Sequence, residues 1–187
     1  MTGRRVTLLA TVAITTVVLT SGCGGPVPGP SGTESGADMM TPYEARDAFA
    51  VLTDRVQSDV GGEWVNEDDP GPDSCEVAGG EGVFFRTLRL GSSPGTMEDA
   101  KAVTDQVTLL LQAEGYKVLE SVFTGEGGYD LTMVNAADSL INFGANNIAM
   151  GMSGKSDCVS GDLGKIIDEI DAEYLKQQQS STPTPTP

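Results

Sequence analysis

The chain has 187 residues, 11 Lys+Arg against 27 Asp+Glu (net charge −16), 24 Gly, 3 Cys and no His. A balance this acidic argues against nucleic-acid binding, which needs a basic face to neutralise phosphates. The absence of histidine excludes Ser-His-Asp and Cys-His catalytic groups, HExxH zinc sites and a histidine pH switch.

Residues 1–22 read as a lipoprotein signal peptide. Arg4 and Arg5 form a basic start, and residues 6–19 form an apolar stretch of about 14 residues, too short to span a bilayer as a helix but suited to secretion. It ends in Leu19-Thr20-Ser21-Gly22-Cys23. Small residues before a cysteine resemble the bacterial lipobox, so Cys23 is expected to be the lipidation site and the mature N-terminus, although Thr20 stands where leucine is usual. The Arg4-Arg5 pair fits either general or twin-arginine export. Removing residues 1–22 takes away two arginines and no acids, which leaves nine basic against 27 acidic groups, near −18. Anionic lipid heads repel such a domain. Acyl chains of the palmitate kind on Cys23 are therefore the expected membrane attachment, on the extracytoplasmic face of the cell membrane.

Residues 23–40 hold the lipidated cysteine and a Gly-, Pro- and Ser-rich tether with little to bury. Residues 41–176 are the expected single domain. Its first helix is predicted over 42–60. Thr41-Pro42-Tyr43-Glu44 is a capping box with proline at the first helical position, and Ala45, Ala48, Phe49, Leu52, Val56 and Val60 form one apolar stripe up to Gly61-Gly62. Residues 83–90 (VFFRTLRL) read as a strand. A second helix starts within residues 94–99, faces inward through Ala100, Val103, Val107, Leu110 and Leu111, and stops at Gly115.

Four period-two segments follow. Residues 116–123 and 129–135 flank a glycine-rich turn, and residues 140–143 and 147–152 flank Gly144-Ala145-Asn146-Asn147, read as a turn tolerating positive φ. A last helix after Asp162 directs Leu163, Ile166, Ile167, Ile170 and Tyr174 inward. Residues 177–187 (QQQSSTPTPTP) form a Thr/Pro-rich tail that cannot pack. The order α-β-α-β-β-β-β-α gives an α+β fold, a mostly antiparallel sheet of about five strands with helices chiefly on one face. The second strand runs parallel to the first because a helical crossover joins them, and hairpins then alternate direction. The last strand thus ends where the first begins, which suits a disulfide between Cys75 and Cys158, the expected pairing in an exported protein.

The motifs that suggest chemistry are weak. Residues 149–156 (AMGMSGKS) approach a phosphate-binding loop but have Ala149 in place of its first glycine and no helix predicted after Lys155-Ser156. Gly79-Gly80-Glu81-Gly82 precede a strand, not the helix a dinucleotide site needs. Glu63, Glu67, Asp68, Asp69, Asp73, Glu76 and Glu81 crowd together without a basic residue, yet their spacing breaks the EF-hand pattern. Met150 and Met152, with Ile148, mark the core-facing row of a strand. Trp64 is expected to close the core near Cys75. No residue is assigned a catalytic, cofactor-binding or metal-binding role, and no cofactor is expected.

The TSGC signal end, the Trp64 and Cys75 pair, Ala113-Glu114-Gly115-Tyr116 closing a helix, the glycine-punctuated strands and Ser156-Asp157-Cys158 resemble the small actinobacterial cell-envelope lipoproteins of the mycobacterial LppA-like type. That resemblance implies a compact α+β domain at the cell envelope and carries over no catalytic residue. The expected function is a non-enzymatic binding or interaction module of the envelope, a monomer whose partner is an envelope protein, a cell-wall component or a lipid. The alternative is a carrier of a lipid or other apolar ligand between helices and sheet, where Gly144, Ala145, Ala149 and Gly151 leave room. A weaker alternative is a cell-wall glycosidase using two facing carboxylates.

Overall fold

The first helix begins where its caps demand. In a computed structural model that describes residues 40–69 and 71–180, α1 spans Pro42–Val60, with the Thr41 side chain accepting from the Glu44 amide and Glu44 accepting from the Thr41 amide. The capping box is repeated by Thr96 and Asp99 at the start of α2 (Met97–Ala113), which Gly115 ends at φ 86°. The chain then follows the order β1 (Trp64–Asn66), β2 (Pro72–Val77), β3 (Gly80–Ser92), α2, β4 (Lys117–Phe123), β5 (Tyr129–Val134), β6 (Leu140–Ala145), β7 (Ala149–Lys155), β8 (Val159–Ser160) and α3 (Leu163–Ser180).

The fold is α+β, with three helices and eight strands among the described residues, where the sequence suggested about five strands. The additional strands are β1, β2 and β8. They are short or polar, and all three pair with β3. The main sheet has the order β1-β3-β7-β6-β5-β4, and every recorded pairing is antiparallel. β4 therefore runs in the same direction as β3, as the crossover requires, but lies at the far edge with three strands between them.

The register decides which side chains share a face, because directly opposed residues in an antiparallel ladder point the same way. Phe85, Thr87 and Arg89 of β3 lie with Gly154 and Met152 of β7, Ile141 and Phe143 of β6, and Met133 and Leu131 of β5. That is the helix side. Phe49 and Val56 of α1 and Ala100, Val107 and Leu111 of α2 close over it in one buried cluster. Ile166 of α3 packs with Val83 and Phe85 in a second. Among the described residues, helices thus cover one face of the sheet only.

Some inward assignments differ. Ala48 is exposed on α1, and Thr104 is buried on α2. On α3 Ile166 is buried against Val83 and Phe85, whereas Ile167 and Tyr174 point away from that cluster and face solvent. α3 also continues through residues 177–180, beyond the expected limit of the domain at 176. None of Gly144, Ala145, Asn146 and Asn147 has positive φ. The hairpin instead turns at Asn146, whose Oδ1 accepts from the amides of Ile148 and Ala149 at 2.8 and 2.9 Å.

Candidate functional site

The face opposite the helices carries the candidate site. Three transverse rows can be read from the register. The first is Arg86, Lys155, Leu140, Val134 and Lys117, from β3 to β4. The second is Leu88, Ser153, Asn142, Thr132 and Glu120, and the third is Leu90, Gly151, Gly144, Asp130 and Val122. Rows two residues apart lie about 7 Å from one another. Every side chain in them is half-buried or exposed.

Along this face runs a trough. Its first part has a volume of 530 Å³ and is lined by Arg86, Leu88, Leu140, Asn142, Ser153 and Lys155, with Glu67 and Asp69 at its lip. The second part, of 390 Å³, shares Leu88, Asn142 and Ser153 and continues over Gly144 and Gly151 to Asp130 and Thr132. Each volume falls in the range of small-ligand sites. Leu88 lines both parts of the trough and Leu90 stands beside it on the next row, with 38% and 44% of their surfaces exposed. Gly144 and Gly151 face each other across β6 and β7, so the floor there is bare backbone.

Charge is distributed unevenly around the trough. Arg86 is ion-paired with Asp73, and Lys155 with Asp138 at 2.8 Å. Both guanidinium and ammonium groups lie over the Phe84 ring, at 5.3 and 5.7 Å from its centroid. The Glu67 and Asp69 carboxylates on one side and Asp130 on the other have no basic partner among the described residues.

The lip is held in place from the opposite face of the sheet. Arg89, 3% exposed, lies under α1 and bonds Asp54 and Gln57 through Nη1 at 2.8 and 2.9 Å. It reaches Asp68 twice, Nε to Oδ1 at 2.8 Å and Nη2 to Oδ2 at 2.6 Å. Asp68 also accepts from the Thr87 hydroxyl and the Leu88 amide. One carboxylate thus fixes the segment that presents Glu67 and Asp69. A buried arginine is tolerable only when so thoroughly paired.

Cys75 and Cys158 form a disulfide, with Cα atoms 6.2 Å apart. It joins β2 to the segment preceding β8, at the end of β3 where Gly82 packs closely against Cys158. Cys23 and the expected signal and tether lie outside the described residues, as do residues 181–187. The acidic residues do not converge: among the described residues, no three acidic or cysteine side chains come together to hold a metal ion. Residues 149–155 are a strand, so the phosphate-loop look-alike forms no cradle at a helix N-terminus.

Met150 and Met152 do face the core, but Ile148 sits in the turn and is 76% exposed. Trp64 closes the core at the opposite end from Cys75. It pairs with Gly91, while Cys75 pairs with Gly82 at the other end of β3. Its ring occupies the space a Cβ at Gly91 would need, and its Nε1 donates to the Gly61 carbonyl at 2.8 Å. Sequence reasoning did not single out Leu88, Asn142 or Ser153. The alternation of residues 83–90 held the only signal, and it marks two faces without saying which is covered.

The structure is similar to the crystal structure of a DUF4853 family protein from Actinomyces odontolyticus. The sequence identity is 12%, the similarity covers 66% of this chain and 70% of that one, and the TM-score is 0.46. No family model and no curated protein matches the chain. Among the described residues, no helix is long and apolar enough to cross a membrane.

Proposed function

We propose that the protein is an extracytoplasmic lipoprotein, anchored through acyl chains on Cys23, that acts as a non-enzymatic binding module of the cell envelope. The single observation that carries the binding role is the sheet face that the described residues leave open, where Leu88 and Leu90 stand half-exposed at and beside a trough while the three described helices pack on the other side. Apolar side chains rimmed by polar ones on an exposed surface mark an interaction site. The lipobox-like end at Cys23 and the resemblance to LppA-like envelope lipoproteins support the location.

The carrier reading shifts from the interior to this same face. Phe49, Val56, Leu111, Met133, Ile141 and Met152 fill the layer between helices and sheet, and the room above Gly144 and Gly151 opens outward.

Two experiments test the proposal. Cys23→Ser should move the protein from the membrane fraction to the soluble fraction, and unchanged retention would defeat the anchor. Leu88→Cys places a thiol on the open face. It should react with a maleimide in purified protein and be protected in intact envelopes, whereas equal labelling in both would defeat the binding surface.

A further inference from the structure

Taking the open face as the binding surface, its charges narrow the occupant. The two cations in the trough, Arg86 and Lys155, are already neutralised by Asp73 and Asp138. The carboxylates that flank it have no basic partner among the described residues. Glu67 and Asp69 stand on the β3 side and Asp130 on the β5 side, with Leu88, which lines both parts of the trough, between them. From Leu88 to Thr132 the face crosses three strand spacings, about 14 Å. That width accommodates a single helix or extended segment.

We propose that the trough takes a cationic amphipathic segment of a partner protein, with its apolar side chains on Leu88 and Leu90 and its basic residues reaching Glu67 and Asp69 on one side and Asp130 on the other. A second copy of this face would set carboxylates against carboxylates. An anionic lipid surface would meet a chain of net charge −16. A basic segment complements both the unpaired acids and the leucines, and charge complementarity of this kind sets partner choice.

The test uses the full-length protein in nanodiscs of zwitterionic lipid. The probe is a fluorescent peptide of three leucines flanked by two lysines at each end, followed by anisotropy against empty discs. Control peptides replace the lysines by glutamates or the leucines by serines. The lysine-leucine peptide should bind at least tenfold more tightly than either control. Gly151→Leu should abolish the binding, since a Cβ there meets only the Arg89 carbonyl at 3.9 Å and the added side chain fills the trough without disturbing the fold. Leu88→Asp provides a second blocking variant. Glu67→Lys with Asp69→Lys should weaken binding several-fold, whereas Glu173→Lys on α3 should leave it unchanged.

Equal binding of the glutamate-flanked peptide, or binding that survives Gly151→Leu and Leu88→Asp, overturns the proposal. So does preferential capture of phosphatidylglycerol vesicles, which would assign the face to lipid. If these arms fail while the thiol of the Leu88→Cys variant remains protected in envelopes, the surface stands and the occupant is of another class. If that thiol is unprotected, the surface reading fails with it.

Discussion

Asp68 and Arg89 meet through two parallel bonds, one at 2.8 Å and one at 2.6 Å, across the edge of the sheet from a strand to the loop after β1. The arginine is fully sequestered under α1 and the aspartate is partly open to water, so the pair couples a buried charge to a surface loop. Removing Asp68 leaves Arg89 with Asp54, Gln57 and the Thr87 hydroxyl, and with a single carboxylate in place of two. Asp68→Ala should lower stability by about 2–4 kcal/mol, because it strips half the compensation from a buried cation. Its neighbour Asp69, which among the described residues accepts from the Gly71 amide alone, should change stability by less than about 1 kcal/mol on the same substitution. Urea unfolding of the two variants checks the contrast, and equal losses would show that Asp68 is not the fixing residue.

The disulfide closes a loop with a sequence separation of 83. In the chain-entropy account this is worth about 4.5 kcal/mol, through a smaller unfolded ensemble. The double substitution Cys75→Ala with Cys158→Ala should lose an amount of that order in urea unfolding. A change below about 1 kcal/mol would mean that β2 and β8 hold their places on β3 without the bond.

Much of this architecture was legible along the chain. The limits of α1 were readable because proline, capping threonine and glutamate coincide at its start. The pairing of Cys75 with Cys158 agreed with the strand directions. Illegible were β1, β2 and β8, whose residues (WVN, PDSCEV and VS) are too few or too polar to alternate, and which form because β3 offers its bare edges. The facing of Thr87 and Arg89 was not legible either. Polar residues at alternate positions suggest a solvent face, yet here they lie under α1, and the leucines between them face outward. Only the packing of the helices decides that sign.

Glycine in the middle of a central strand costs stability relative to residues with side chains. Gly151 has no left-handed φ and its Cβ position is unobstructed, so the fold does not require it. Gly151→Val should raise stability by about 0.5–1 kcal/mol in thermal or urea unfolding, while occupying the trough floor. A loss of stability instead would give Gly151 a structural role.

Acid should loosen the helix starts. The Glu44 carboxyl is held below its ordinary value by the Thr41 amide first and the Thr41 hydroxyl second, and Asp99 likewise by the amide and hydroxyl of Thr96. A folded-state value below the unfolded one contributes stability that is complete above the unfolded values, about 4.3 and 3.9. That contribution is lost as pH falls through the lower folded values. Stability measured from pH 6 downward should therefore begin to fall near pH 5, and Glu44→Gln with Asp99→Asn should flatten the slope. An unchanged slope would assign the acid sensitivity to other carboxylates.

β3 pairs on one side with β7, joining Arg86 to Lys155 across nearly the whole domain. The strand is complete by Ser92, yet its main partner is the last long strand of the chain. Loop closure between such distant segments slows folding. The hairpins of β4 to β7 can assemble among themselves, but the sheet cannot be joined to β3, nor α1 find its floor, until residues near 155 are available. The sheet consequently stays open until residues near 155 have been made, a kinetic delay that would suit the export proposed above, in which a chain threads through a membrane before it folds.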